Sequence, residues 1–212
     1  MKVKKIDLRV YVITAELPRL GRTHEDVARA AVAGGGTVLQ FRDKFMGDAV
    51  FLATADRVRS TAAAGGVPCI INDRVGIAIA AGADGVHVGR TDAAPRQIRN
   101  LLPPDMILGI SATDYDEALE MSFCGADYLG AGPVFPTGSK PDAAPPIGPA
   151  ELARICRDVR LPVVAIGGIH AKNLRQVIEA GAAGAAVVAA VAEAPDMQAA
   201  IAELRSIWEE FG

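Results

Sequence analysis

Ala81-Gly82-Ala83-Asp84-Gly85-Val86 ends one helical stretch and opens an apolar run. The same text returns as Cys124-Gly125-Ala126-Asp127-Tyr128-Leu129 and as Ala180-Gly181-Ala182-Ala183-Gly184-Ala185, and it is present early as Ala33-Gly34-Gly35-Gly36-Thr37-Val38. Each copy offers a glycine suited to the left-handed residue after a helix, then turns tightly into a strand. The copies precede the second, fourth, sixth and eighth candidate strands. A unit of two strand–helix pairs, repeated four times, closes naturally into eight.

Outward from these turns, short apolar runs alternate with stretches of helical period. The pattern predicts strands at 9–14, 37–42, 69–72, 85–88, 107–111, 128–130, 163–166 and 185–189. It predicts helices at 23–33, 48–63, 75–81, 93–102, 115–123, 149–156, 172–180 and 196–208. Such alternation argues for parallel βαβ crossovers. An open dinucleotide-binding sheet is the alternative, but no Gly-rich fingerprint follows the first strand. The expected fold is α/β: a single-domain (β/α)8 TIM barrel over residues 1–212.

Composition agrees. Half of the 212 residues are hydrophobic and only 5% aromatic, so the core is built from Ala, Val, Ile and Leu, as in a sheet covered on both faces. The net charge of −3, without a basic cluster, predicts no nucleic-acid partner. No apolar stretch is long enough to span a bilayer. The basic start Met1-Lys2-Val3-Lys4-Lys5 runs into a strand and not a signal segment, so a cytoplasmic location is expected. Cys69, Cys124 and Cys156 are widely spaced among apolar neighbours and read as reduced thiols.

In a barrel, chemistry gathers at the C-terminal ends of strands. The second strand ends Gln40-Phe41-Arg42-Asp43-Lys44. Period-2 alternation puts Gln40 and Arg42 on one face, and Lys44 can join them. A substrate phosphate or a neighbouring carboxylate could equally satisfy these cations. Asp73 follows the third strand and Asp92 the fourth. Together they could hold one Mg2+, although each could instead cap the following helix. His87, inside an apolar strand with no nucleophile beside it, reads as a core or supporting histidine. Ser111 ends the fifth strand. The loop 132–148 carries Thr137, Ser139 and Lys140, either an anion clamp or a polar turn. Gly167 and Gly168 after the seventh strand let backbone N–H groups approach a phosphate or form a tight turn alone, and the eighth strand ends Val187-Val188-Ala189-Ala190.

These residues resemble the motifs of the thiamine-phosphate synthase family. Gln40-Phe41-Arg42-Asp43-Lys44, Asn72-Asp73, His87-Val88-Gly89 with Asp92, Gly132-Pro133-Val134-Phe135-Pro136-Thr137 with Lys140, and Gly167-Gly168-Ile169 occur in the family's order across nearly the whole chain. The resemblance implies a transferase that condenses an aminopyrimidine-methyl diphosphate with a thiazole phosphate through a pyrimidine-methyl cation. It implies that Gln40, Arg42, Lys44 and Asn72 hold the pyrimidine diphosphate. Asp73 and Asp92 bind Mg2+ in this scheme, and Ser111 and Lys140 contact the diphosphate. Thr137, Ser139, Gly168 and the backbone of Val188 and Ala189 receive the thiazole phosphate. The implied partners are small molecules, and a homo-oligomer is compatible with the sequence.

Some positions depart from the family pattern. Arg90 stands where Gln is frequent, Ala189 where Ser is common and Ser139 where Thr is usual, and Ala112-Thr113-Asp114 is not the usual text. The related thiazole tautomerases are the nearest rival. They generally lack both carboxylates and carry a catalytic His where Pro133 stands. A non-catalytic precursor-binding paralogue is the rival of another class, and the retained Arg42, Lys44, Asp73, Asp92 and Lys140 argue against it.

Overall fold

The computed structural model describes residues 6–89, 95–139 and 144–212. All four copies of the repeat make the same turn. Gly35, Gly82, Gly125 and Gly181 are left-handed. Two residues further on, Thr37, Asp84, Asp127 and Ala183 donate their N–H groups to the carbonyls of Val10, Cys69, Leu108 and Val163 at 2.8, 3.0, 2.7 and 2.8 Å. The first copy therefore aligns one residue later than its text suggests, with Gly35 and not Gly34 in the left-handed place. In three copies a side chain adds a second bond. Thr37 Oγ1 accepts from Val10 N at 3.0 Å, and Asp84 and Asp127 accept from Cys69 N and Leu108 N at 2.8 Å. Each turn thus staples a new strand to the start of the one before it.

The strands so launched are β1 (Val10–Ile13), β2 (Val38–Phe41), β3 (Cys69–Asn72), β4 (Gly85–Val88), β5 (Ile107–Ala112), β6 (Tyr128–Ala131), β7 (Val163–Ile166) and β8 (Gly184–Val187). They form a closed barrel in chain order, every pair parallel, with β8 returning to β1 through Val10 opposite Ala185. The helices are α1 (His24–Ala33), α2 (Asp48–Ala64), α3 (Val75–Ala80), α4 (Pro95–Leu101), α5 (Tyr115–Met121), α6 (Gly148–Asp158), α7 (Ala171–Glu179), α8 (Ala189–Ala192) and α9 (Met197–Phe211), with a 3-10 turn at Pro18–Leu20. The (β/α)8 expectation is met. Among the described residues no helix is long and apolar enough to cross a membrane.

One expectation fails at the last strand. β8 ends at Val187, and Val188 and Ala189, expected within the strand, start the short helix α8. The text around them is Ala- and Val-rich without a breaker, and periodicity cannot separate strand from helix in such a run.

Two apolar shells hold the barrel. The larger lies between strands and helices and includes Leu39, Phe41, Ile71, Leu108 and Leu129. The smaller lies inside the barrel, where Leu8, Val38, Ile70, Ile107 and Val164 pack with Tyr11 and Tyr128. Along the same inward positions toward the C-terminal ends the residues turn polar: Gln40, Asn72, His87 and Ser111.

Candidate active site

The barrel interior holds a continuous line of polar side chains. Gln40 Nε2 donates to the Tyr11 hydroxyl at 2.8 Å, and the Tyr11 and Tyr128 hydroxyls share a bond of 2.7 Å. Tyr128 OH lies 2.9 Å from His87 Nδ1, and His87 Nε2 lies 2.9 Å from Ser111 Oγ. Tyr11 and Tyr128 are 1% exposed and Gln40 3%, so their polar atoms must be bonded within the protein or face a ligand.

Glycine makes the line sterically feasible. Gly109 stands on β5 opposite both His87 of β4 and Tyr128 of β6. A Cβ there would meet Tyr128 Cζ at 2.2 Å and His87 Nδ1 at 2.4 Å. At Gly130 a Cβ would come within 3.0 Å of His87 Cε1.

Burial raises both phenols well above the ordinary tyrosine range, against the opposing pull of the Tyr128 and Gln40 bonds at Tyr11. Tyrosines in the unfolded chain ionise near pH ~10 while these two stay protonated, so the folded state binds more protons above that pH. The phenols' contribution is fully present below about pH 10 and is lost as pH rises toward their folded values. Denaturant unfolding between about pH 9 and 11 should show stability falling by up to ~1.4 kcal/mol per pH unit per phenol. In Tyr11→Phe the slope should be shallower by one phenol's share.

Beside this line stand the cations of the β2 tip. Arg42 continues the inward face and is half-buried, its N–H reaching Thr14 Oγ1 at 3.4 Å, and Lys44 is exposed. The nearest sequence carboxylate, Asp43, does not neutralise them. It accepts from Phe45 N at 2.8 Å and Met46 N at 2.7 Å, and lies 3.2 Å from His24 Nε2. Burial alone would raise its carboxyl, but the backbone bonds from Met46 and Phe45, with His24, outweigh that and hold it below the usual range. His24, 2% exposed, places its other ring nitrogen 2.9 Å from Thr14 Oγ1. Arg74 lies over the Phe51 ring at 4.1 Å and bonds Asp48 at 2.7 Å and the Met46 carbonyl, so it braces the same loop. Among the described residues, Arg42 and Lys44 have no ion-pair partner.

At the neighbouring β3 tip, Asn72 and Asp73 are half-buried. Asp73 has φ +62° and is the one non-glycine residue with positive φ among those described. Its N–H donates to His87 O at 2.8 Å, and its carbonyl accepts from Val75 N at 2.8 Å. It does not cap the next helix: the N-cap of α3 is Arg74, without a side-chain cap bond. Asp92, Arg90 and Lys140 lie outside the described residues. Glu16, His24 and Asp43 bring three ligand-type atoms within 4.8 Å of one another, yet His24 and Asp43 are already committed to bracing the loop.

The opposite rim is built from backbone. Gly167 and Gly168 have φ of +96° and +64°. A Cβ on Gly168 would strike the Pro136 carbonyl at 2.4 Å, and one on Gly167 would strike Pro133 Cβ at 2.4 Å. Val134 N and Phe135 N bond the carbonyls of Ile166 and Gly167 at 2.8 and 3.0 Å, so the base of the 132–148 loop is fastened to the β7 tip. Thr137 is half-buried and takes the Ser139 N–H at 3.2 Å, while Ser139 is exposed. Val188 accepts from Val191 N and Ala192 N, and the first N–H groups of α8, at Ala189 and Ala190, have no acceptor within their helix.

The cysteines play no part in this rim. All three are free, and burial chiefly pushes Cys69 up to about 12 and Cys156 up to about 11. Tyr11, Tyr128 and His24 were not among the expected site residues. Their signal was present in the text: a tyrosine, or a histidine, among otherwise apolar positions needs a polar partner.

A closed parallel barrel with polar groups at the C-terminal strand ends, and a short extra helix after the eighth strand, is the plan of a TIM-barrel enzyme with an anion-binding rim. Comparison with known proteins narrows the class. A family model described as thiamine monophosphate synthase matches residues 10–191. The thiamine-phosphate synthase of Chloroflexus aurantiacus is 46% identical over 202 residues, covering 95% of this chain and 93% of that protein. A thiamine-phosphate synthase of Methanocella arvoryzae is 44% identical over 202 residues, covering 95% of each. The solved thiamine phosphate pyrophosphorylase from Pyrococcus furiosus superposes with a TM-score of 0.88 at 38% identity, covering 97% of both chains. The chain belongs to the thiamine monophosphate synthase family and is an enzyme of that transferase kind.

Proposed function

We propose that the chain joins 4-amino-2-methyl-5-pyrimidinylmethyl diphosphate to a thiazole phosphate, releasing pyrophosphate and thiamine phosphate. The bond from the pyrimidine methylene to the diphosphate oxygen breaks, and its electron pair leaves with pyrophosphate. The thiazole ring nitrogen then forms the new bond to the methylene carbon. No protein nucleophile is needed. The demands are charge stabilisation at the leaving group and placement of the acceptor.

The observation that carries this proposal is Asp73, a carboxylate residue held left-handed at the β3 tip by the His87 carbonyl, next to β2, which Arg42 and Lys44 follow. Strained backbone of this kind persists where the surrounding structure imposes it, typically at working sites. Asp73 and Asp92 would hold Mg2+. The half-buried Asp73 at the β3 tip suits a small hard cation, which takes one or two carboxylates plus substrate oxygens. When bound, the ion would supply positive charge against the departing diphosphate.

Arg42 and Lys44, unpaired among the described residues, would take the remaining diphosphate charge together with Lys140. Gln40, Asn72 and Ser111 would orient the pyrimidine diphosphate. Thr137, Ser139, Gly168 and the backbone at Val188 and Ala189 would seat the thiazole phosphate, where the first N–H groups of α8 begin. Three free thiols support a reducing, cytosolic setting.

The direct test is to incubate the purified protein with both substrates and Mg2+, then with a chelator. Thiamine phosphate and pyrophosphate should appear in equal amounts, fall to background with chelator, and return on adding excess Mg2+. Equal turnover with and without chelator would overturn the metal assignment. Pyrophosphate release without thiamine phosphate would overturn the transfer reaction.

A further inference from the structure

The line from Gln40 to Ser111 has a property that no single residue in it has. Each buried hydroxyl carries one proton, and a neutral imidazole carries one N–H. If Gln40 Nε2 donates to Tyr11, as it does in the structure, Tyr11 is left to donate to Tyr128. Tyr128 then donates to His87 Nδ1, and the His87 proton sits on Nε2 and goes to Ser111. Gln40 keeps its amide oxygen for a ligand, and Ser111 keeps its hydroxyl proton. Reversing any one bond while leaving no buried donor unused reverses them all. Gln40 would then turn its NH2 to the ligand, His87 would carry its proton on Nδ1, and Ser111 would offer only lone pairs.

We propose that Tyr11, Tyr128 and His87 form a directional relay that makes Gln40 and Ser111 present opposite hydrogen-bonding roles to their ligand, an acceptor at Gln40 and a donor at Ser111. The three are positioning residues and need touch no reacting atom. The proposal rests on Gln40 and Ser111 being ligand contacts, as given above. In the polarity of the structure, Ser111 suits an oxygen that can only accept, such as a diphosphate oxygen. Gln40 suits an amine that donates. A ligand whose two ends are alike would have to break the line at one of them.

Gln40→Glu separates the relay from plain packing. A carboxylate nearly the same shape as the amide can only accept, so Tyr11 must donate to it and every bond behind it must turn round. His87 should then exchange its Nε2 proton for one on Nδ1, although three hydrogen bonds lie between the changed side chain and the ring. The measurement is a long-range proton–nitrogen spectrum of histidine-labelled full-length protein without substrate, at about pH 8, above the ordinary histidine range. The His87 signal is assigned by its loss in His87→Gln.

The wild type should show one tautomer, protonated on Nε2, and Gln40→Glu should show the other. Tyr11→Phe removes the first link, so Gln40→Glu made on that background should leave His87 as in Tyr11→Phe alone. A mixture of tautomers in the wild type, or the same tautomer in wild type and Gln40→Glu, overturns the relay. So does a switch that survives Tyr11→Phe. Because no substrate is present, these outcomes do not depend on the assigned reaction. Failure of the ligand-contact assignment would appear separately, as an unchanged KM for the pyrimidine diphosphate in Gln40→Glu.

Discussion

Asp73→Ala is expected to lower kcat for thiamine phosphate formation by about 10^3-fold, the scale of losing a group that stabilises charge in the transition state. The loss should not be a loss of fold, and the backbone supplies the control. Asp73 sits at φ +62°, a region costly for most side chains, tolerated by Asp and free for glycine. Asp73→Gly should therefore unfold no earlier than the wild type while being as inactive as the alanine variant. Asp73→Asn keeps the conformational tolerance and an oxygen donor but loses the charge, and its turnover at high Mg2+ should fall between that of the wild type and that of the glycine and alanine variants. Steady-state kinetics paired with thermal unfolding read both effects. If Asp73→Gly is stable and turns over at the wild-type rate, the carboxylate has no part in the reaction. That assignment, and the metal site with it, would then be wrong.

The barrel was legible because its evidence is repeated. The turn texts at 33–38, 81–86, 124–129 and 180–185 specify a glycine and then a strand, and the structure uses them as equivalent staples. The one-residue offset of the first copy was not legible, because three consecutive glycines give no way to choose which is left-handed. Short β8 and the added α8 were missed because small residues suit both states. At the site, the strand-tip rule located Gln40, Arg42, Asn72, Asp73 and Ser111 on the correct end of the correct strands. Their support escaped it. Tyr11 and Tyr128 are separated by 117 residues, and nothing local in either strand reveals that their hydroxyls meet. Equally, the pairing of His24 with Asp43 joins a helix start to a loop, a contact set by packing and not by spacing.

Gly109→Ala should be among the most damaging single-methyl additions available in this chain, although Gly109 is neither left-handed nor at a turn. Its neighbours across β4 and β6, His87 and Tyr128, bond each other over the space where a Cβ would stand, 2.4 and 2.2 Å from their atoms. Neither ring can retreat cheaply, since Tyr128 also bonds Tyr11 and His87 also bonds Ser111. Overpacking costs about 1–3 kcal/mol, and stranding a buried hydroxyl or ring nitrogen adds about 1–3 kcal/mol more. A loss of about 2–6 kcal/mol is the expected sum, which for a chain of this size lowers Tm by roughly 10 °C. Gly76 supplies the opposite sign in the same molecule. It lies in α3 with open space where its Cβ would be, so Gly76→Ala should stabilise by about 0.5–1 kcal/mol. Combining Gly109→Ala with Tyr128→Leu, which vacates the crowded volume, should cost clearly less than the two changes summed. Strict additivity in that cycle would mean that the glycine is not there to make room for the tyrosine.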